Sequence, residues 1–323
     1  MRTVLMFGAA AAAAVTLVGV IAPAEALTEP VPGDGAAPRS SGGPGVSASA
    51  VMVTPAPPRS DTYAYGDDDR QVLDAYWRAP AASRERTTSP RPGVLLLHGG
   101  SWRRGDKSGW RYTARRLTTL GYVVFSANYR LAQTARWPAQ REDSQNALAY
   151  IKRNARLWNL DPNRIVVMGS SAGGHLATQL GTYGTGAAEV RGVVALSPVV
   201  SPQRAYQDGG VLGADRSRRS LRQAVQMLLG CDPATDGPVC RERLNDASAA
   251  THAGPGDPPM LLIHSRGEFV PPAHGTVLAA VLGAAGVPAT VNTVPGKDHG
   301  GALLDDTVTF DSVVRWMDEV VRG

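Results

Sequence analysis

A serine with glycines two positions before and two positions after it, in Gly169-Ser170-Ser171-Ala172-Gly173, follows the apolar run Ile165-Val166-Val167-Met168 and precedes a helix-forming stretch. A turn this tight from strand to helix strains its central residue and leaves almost no room for side chains at those flanking positions. It holds a hydroxyl above the sheet at a helix N-terminus. There the Ala172 N–H points at any negative charge developing on a nearby oxygen. Ser170 is the competing hydroxyl, but only Ser171 has glycine on both sides at that spacing. A second glycine pair lies in His98-Gly99-Gly100-Ser101-Trp102, just beyond the apolar run Val94-Leu95-Leu96-Leu97. Adjacent glycines let the backbone approach a ligand and aim N–H groups at it. Gly99 and Gly100 are therefore candidate oxyanion donors, with Gly100 favoured. His98 is read as a brace for this loop. Trp102 and Ser170 are candidates for the substrate pocket, Trp102 either lining it or simply packing.

A serine hydroxyl is a poor nucleophile at neutral pH and needs a base. Of the six histidines, His299 fits best: its loop, Pro295-Gly296-Lys297-Asp298-His299-Gly300-Gly301, lies between the final strand and the final helix. His175 falls on the helix after the Ser171 turn, where packing is expected. His264 ends a strand and could support the site. The imidazole in turn needs a carboxylate to fix its tautomer and stabilise its cation. Glu268 is the only carboxylate in the loop His264-Ser265-Arg266-Gly267-Glu268-Phe269-Val270-Pro271. The chain order is thus Ser171, Glu268, His299.

The elements that must position these loops alternate. Buried strands are expected at 94–97, 122–125, 165–168, 193–196, 260–263 and 289–294, with an earlier strand at 71–77. Helices are expected at 110–120 and through Leu148, Ile151, Ala155 and Trp158. A closing helix should place Phe310, Val313, Val314, Met317 and Val320 on one face. Asp161-Pro162-Asn163 reads as a turn. This alternation predicts an α/β architecture: a mostly parallel central sheet with helices on both faces, and ligands at the carboxyl ends of the strands. Residues 201–258 interrupt it, carry an arginine cluster and both cysteines, and read as an inserted cap, partly helical around Leu221 to Leu229, or as a surface excursion.

The chain has 323 residues, 43% hydrophobic and 19% charged, enough apolar content for one large domain, expected at 61–323. The net charge of +5 rests almost wholly on arginine. With no run of five or six like charges and no basic–aromatic interleaving, a nucleic-acid partner is not expected. Arg2, the apolar stretch from Val4 to Ile21 and Ala24-Glu25-Ala26 read as a signal peptide over 1–26, implying secretion and no stable membrane insertion after cleavage. Residues 27–60, rich in Pro, Gly and Ser, read as a disordered leader. Cys231 and Cys240, beyond an export signal, are expected to form a disulfide, the alternative being two free thiols. No His or second Cys pair stands at metal-ligand spacing, and no metal is expected.

These motifs together resemble the α/β-hydrolase esterase/lipase superfamily, especially its hormone-sensitive-lipase-like and carboxylesterase branches. The likeness spans about Tyr65 to Gly323. It also rests on Gly105-Asp106-Lys107, Ser126-Ala127-Asn128-Tyr129-Arg130-Leu131-Ala132, Trp137-Pro138-Ala139-Gln140 with Glu142-Asp143, Asp161-Pro162-Asn163-Arg164-Ile165, and Ser171-Ala172-Gly173-Gly174-His175-Leu176-Ala177. The resemblance implies the α/β-hydrolase fold, a Ser-His-acid triad in the observed order, an oxyanion hole at the glycine pair, no cofactor, and small-molecule or polymer-borne ester substrates. There are two departures. Ser101 replaces a third glycine, giving an H-G-G-x-W loop similar to that of arylformamidases and leaving amides open. The acid loop commonly reads Asp-x-x-Val-Pro, whereas Glu268-Phe269-Val270-Pro271 has Glu for Asp and one residue fewer. Peptidase action on the same fold and a lapsed, binding-only site are the remaining alternatives.

Overall fold

The computed structural model describes residues 57–78, 89–185 and 189–323, all within the unit Pro55–Gly323. The signal peptide expected at 1–26 and the leader up to residue 56 lie outside the described residues.

Short apolar runs rich in Val, Ile and Leu, with no polar residue for several positions, suit strands buried on both faces. They form β3 (Arg91–Leu97), β4 (Val123–Ala127), the inner part of β5 (Leu160–Ser170), β6 (Gly192–Leu196) and β7 (Met260–Ser265), whereas the edge strand β8 (Ala289–Val294) carries Thr290, Asn292 and Thr293 and has no fully buried residue. With β1 (Arg59–Ala64) and β2 (Val72–Trp77), the described residues make an eight-stranded sheet in the order β1-β2-β4-β3-β5-β6-β7-β8. β1 and β2 pair antiparallel, as do β2 and β4, and every other neighbour is parallel.

The pleat sends alternate residues to opposite faces. Val94 and Leu96 join a core with Leu117, Phe310, Val313 and Met317, from helices α1 (Arg111–Thr119) and α9 (Thr307–Arg322). Leu95 and Leu97 join the opposite core with Leu148 and Leu176, from α2 (Ala139–Arg153) and α3 (Ala172–Thr182). This is the expected α/β sandwich.

Three details differ from expectation. The first strand includes residues before 61, because Arg59 and Ser60 pair with Trp77 and Tyr76 on β2. A polar, exposed edge strand has no apolar period to betray it. Asp161-Pro162-Asn163 lies inside the long strand β5, where the register against β3 shifts between Arg91 and Gly93; the Asn163 N–H still donates to Asp161 Oδ1, so a local turn bond persists within extended backbone. The segment 201–258 is more helical than expected: α4 (Pro202–Asp208), α5 (Arg216–Leu229), α6 (Gly237–Asp246) and α7 (Ala249–His252).

These inserted helices share the core rather than leaving it. Leu221, Ala224, Val225, Leu228 and Leu229 on one face of α5 are buried in the same cluster as α2 and α3. Arg141 of α2 pairs with Asp246 at 3.0 Å, and the Trp137 indole donates to the same carboxylate at 2.6 Å. Cys231 and Cys240 form a disulfide across the turn between α5 and α6. Closing that loop, nine residues in sequence separation, stabilises the fold by about 2–3 kcal/mol. Replacing both cysteines with serine should lower the urea midpoint correspondingly and leave the m-value nearly unchanged. An unaltered midpoint would show that the bridge does not constrain the unfolded chain.

Candidate active site

Ser171 sits between the end of β5 and the start of α3 with φ 53° and ψ −111°, a left-handed conformation that is costly for any residue with a Cβ. Its N–H continues the ladder to Leu196 O at 2.8 Å, and its carbonyl accepts from His175 N at 2.9 Å, so both neighbouring elements hold the turn. The flanking glycines are required by close approach. A Cβ on Gly169 would overlap the Gly173 carbonyl, and one on Gly173 would overlap the Leu97 and His98 carbonyls of the facing loop. Those clashes are with backbone, which cannot swing away. Gly173→Ala should therefore destabilise the fold by about 3 kcal/mol or more, read as a fall in thermal midpoint. A variant melting like the wild type would mean that the two loops are not in contact.

The loop after β3 is as constrained. Gly100 has φ 121°, and Ser101 and Trp102 follow at φ 54° and 56°, three consecutive residues in left-handed backbone. Gly99 lies beside the serine: a Cβ there would stand 3.5 Å from Ser171 Cβ and 3.0 Å from Ser170 O. The Ala172 N–H is in the first turn of α3, where helix geometry provides no internal acceptor.

His98 holds this loop from below. Its Nδ1–H donates to Gly99 O at 2.8 Å, its ring stacks on Tyr129 at 4.3 Å, and its Nε2 accepts from Arg70 Nη2 at 3.2 Å. Burial pushes its pKa down to about 4, consistent with a neutral ring. Arg70 also donates to Gly105 O at 2.9 Å, and so ties the loop to the β1–β2 connection. Nothing in the pattern around Arg70 singles it out.

Trp102 does not line an open pocket. It is fully buried, and its indole N–H donates to His175 Nδ1 at 3.1 Å. The His175 Nε2–H then donates to Ala247 O at 2.6 Å, linking the glycine loop through α3 to the inserted helices. Burial lowers the His175 pKa to about 4. Ser170 lines a cavity of about 220 Å³ with Gly99, Trp110 and Gly301, and its Oγ accepts the Gly301 N–H at 3.0 Å.

That last bond seats the His299 loop on the serine turn. Gly300 N–H donates to Ser197 Oγ at 2.8 Å, and a Cβ on Gly300 would lie 3.9 Å from Ser171 N. Ser197, a buried non-glycine residue at φ 49°, is a supporting residue without a sequence signal. His299 Nδ1 lies 2.5 Å from Glu268 Oε2. Glu268 is buried, and its other oxygen accepts from Ser265 N at 3.0 Å and from His264 Nδ1 at 3.1 Å. Burial alone would raise its pKa, but the hydrogen bonds from His264 and His299 outweigh it and hold the carboxyl below the usual glutamate value. Phe269 covers one side of the imidazole, its ring 4.3 Å from that of His299, while its carbonyl accepts from Arg218 of α5 at 3.4 Å. Arg103 of the glycine loop reaches Ser220 Oγ on the same helix at 3.0 Å. The inserted segment thus touches both the glycine loop and the acid loop.

Among the described residues no group of three or more His, Cys, Asp or Glu is placed to hold a metal ion, and no helix is long and apolar enough to cross a membrane.

The sheet order, the strained serine turn and the Glu–His pair define an α/β-hydrolase. Structural likeness agrees: esterase B from Lactobacillus rhamnosis superposes with a TM-score of 0.67 at 21% identity, covering 82% of this chain and 86% of that one. A truncated carbohydrate esterase from gut microbiota gives a TM-score of 0.68 at 24% identity, covering 82% and 97%. Residues 81–282, well over half the chain, match the BD-FAE family model, and the chain belongs to the BD-FAE family. In sequence it is similar to esterase LipC of Mycobacterium tuberculosis, 29% identical over 252 residues, covering 76% of this chain and 60% of that protein. A shorter stretch of 102 residues is 39% identical to bovine arylacetamide deacetylase, covering 29% of this chain and 25% of that protein. The chain spans about half to three-fifths of the length of the first curated relatives it matches.

Proposed function

We propose that this protein is a secreted serine carboxylic-ester hydrolase working through an acyl-enzyme on Ser171. The Ser171 Oγ attacks the acyl carbon while His299 Nε2 takes its proton, and Glu268 keeps the other imidazole proton on Nδ1. The N–H groups of Ala172, Gly100 and Gly99 hold the negative oxygen of the tetrahedral intermediate. His299 then returns the proton to the departing alkoxide, and the alcohol leaves. Water, deprotonated by the same imidazole, attacks the acyl-enzyme and releases the acid. The observation that carries this reading is the 2.5 Å contact between Glu268 and His299, on a loop whose next two residues are bonded to Ser197 and Ser170 at the serine turn.

The esterase names of LipC and LipQ among its relatives support ester chemistry. Export rests on the 1–26 signal, and the Cys231–Cys240 bridge is in keeping with an oxidising compartment. The substrate is a small-molecule or polymer-borne ester, and the inserted helices, bonded to both the glycine and acid loops, act as a cap beside it. The likeness to arylacetamide deacetylase, with the H-G-G-S-W loop, favours a second activity on aryl amides through the same acyl-enzyme.

A fluorophosphonate should label the wild type once, on the peptide containing Ser171, and p-nitrophenyl esters from acetate to palmitate should be hydrolysed with an optimum that reports the pocket depth. p-Nitroacetanilide in the same assay tests the amide activity. A folded protein that neither labels nor turns over any of these would show a lapsed site.

A further inference from the structure

The acid loop poses a problem that its own residues do not solve. Glu268 stands one residue closer to Val270-Pro271 than the aspartate of the related loops, and its side chain carries one more torsion. A buried carboxylate on a longer arm has more orientations to lose and must find donors for both oxygens. Only one oxygen can face His299.

The other is met by a second histidine. His264, the penultimate residue of β7, is completely buried, and its Nδ1 lies 3.1 Å from both Glu268 Oε1 and Val270 O. Two acceptors at one ring nitrogen require that nitrogen to carry the proton. Its Nε2 has no hydrogen-bond partner and packs against Gly275 of α8 (Ala273–Ala284). A proton there would leave a buried charged N–H unsatisfied, so the ring is the neutral Nδ1–H tautomer. The other ionisable groups acting on this pocket are His299, His274 of α8 and Arg204 of α4. Burial first, and the Arg204 charge in addition, push the His274 pKa down to about 3, leaving that ring uncharged at working pH. The carboxylate thus accepts three N–H donors, two on Oε1 from Ser265 and His264 and one on Oε2 from His299.

We propose that His264 is a positioning residue for the Ser171 site: its Nδ1–H fixes Glu268 Oε1, which turns Oε2 toward His299 and keeps the carboxylate ionised. This rests on the hydrolase reading above. It also accounts for how a glutamate in a shortened loop can take the place of an aspartate.

The test compares three variants by kcat/KM against pH on p-nitrophenyl acetate, with thermal melts as the folding control. His264→Asn presents an amide N–H near the position of Nδ1. His264→Gln places its amide near Nε2, out of reach of Glu268, and His264→Leu removes the donor. Losing that donor leaves more negative charge on the oxygen facing His299, which favours the imidazolium over the neutral ring, so a proton is accepted by the pair more readily. The acid limb of kcat/KM should therefore move to higher pH by about one unit in the Gln and Leu variants, with kcat reduced about tenfold and KM little changed. The Asn variant should recover most of both. If Leu fails to fold, the Asn–Gln contrast gives the answer alone. Gln or Leu profiles that overlay the wild type, or an Asn variant no better than Gln, would overturn the role. A wild type with no esterase activity would instead remove the hydrolase reading itself.

Discussion

Ser171→Ala should lower kcat by about 10⁶-fold while leaving the fold intact, the scale seen when the nucleophile of a serine triad is deleted. The size follows from what remains. Without Oγ there is no acyl-enzyme, and His299 and the N–H donors can act only on water that nothing positions. The variant keeps its Cβ, so the left-handed turn at φ 53° and the Gly169–Gly173 contact are undisturbed. Its melting temperature should match or slightly exceed the wild type. Turnover of p-nitrophenyl butyrate and the loss of fluorophosphonate labelling measure the effect. Residual activity within tenfold of wild type would place the nucleophile elsewhere, with Ser170 the first residue to examine.

Glu268→Gln should cost about 10⁴-fold in kcat, the scale of an orienting carboxylate replaced by its amide. Here the geometry dictates which way the amide sits. Ser265 N–H and His264 Nδ1–H both donate to the Oε1 position, so the amide oxygen must take that place. The amide nitrogen then faces His299 Nδ1 and donates to it. His299 is forced to carry its own proton on Nε2, the nitrogen that should accept from Ser171. The base is present but holds the wrong tautomer. The prediction is that kcat collapses, KM changes little, and activity partly returns as pH rises and hydroxide replaces the missing base. Glu268→Asp keeps the charge but is one methylene too short for both sets of donors, and should lose far less. If Gln were nearly as active as wild type, the carboxylate would serve only to hold the loop.

The placement of these residues shows what a chain alone can disclose. The serine turn, the glycine loop and the loops carrying the candidate acid and base were legible because each is a local device. A strand feeding a tight turn into a helix demands glycine at set offsets, and the end of each parallel strand delivers its loop to one edge of the sheet. The strands themselves were readable for the same reason: apolar runs such as Val94–Leu97 and Ile165–Met168 are continuous because both faces are covered. The polar strand at Arg59–Ala64 was not, since an exposed edge leaves no apolar period.

What holds the site in shape is carried by pairs far apart in the chain. Arg70 reaches His98 across 28 residues, Trp102 reaches His175 across 73, and Gly300 reaches Ser197 across 103. No periodicity or spacing encodes such a contact, because it depends on where two side chains point after the sheet and helices have packed. For that reason Trp102 could be read as a pocket wall or as packing, and only the fold buried it against His175. His264 is the instructive middle case. It lies four residues from Glu268, close enough in sequence to be noticed as support, yet its value depends on the direction of one ring nitrogen. The sequence by itself determined the α/β order of elements and marked out Ser171, Glu268 and His299 as the candidate triad, since the loops that carry them follow from local backbone demands. The tertiary structure decided how the Glu268 carboxylate is shared between two histidines and how the inserted helices grip both loops, since buried hydrogen bonds are made only where packed elements bring donor and acceptor together.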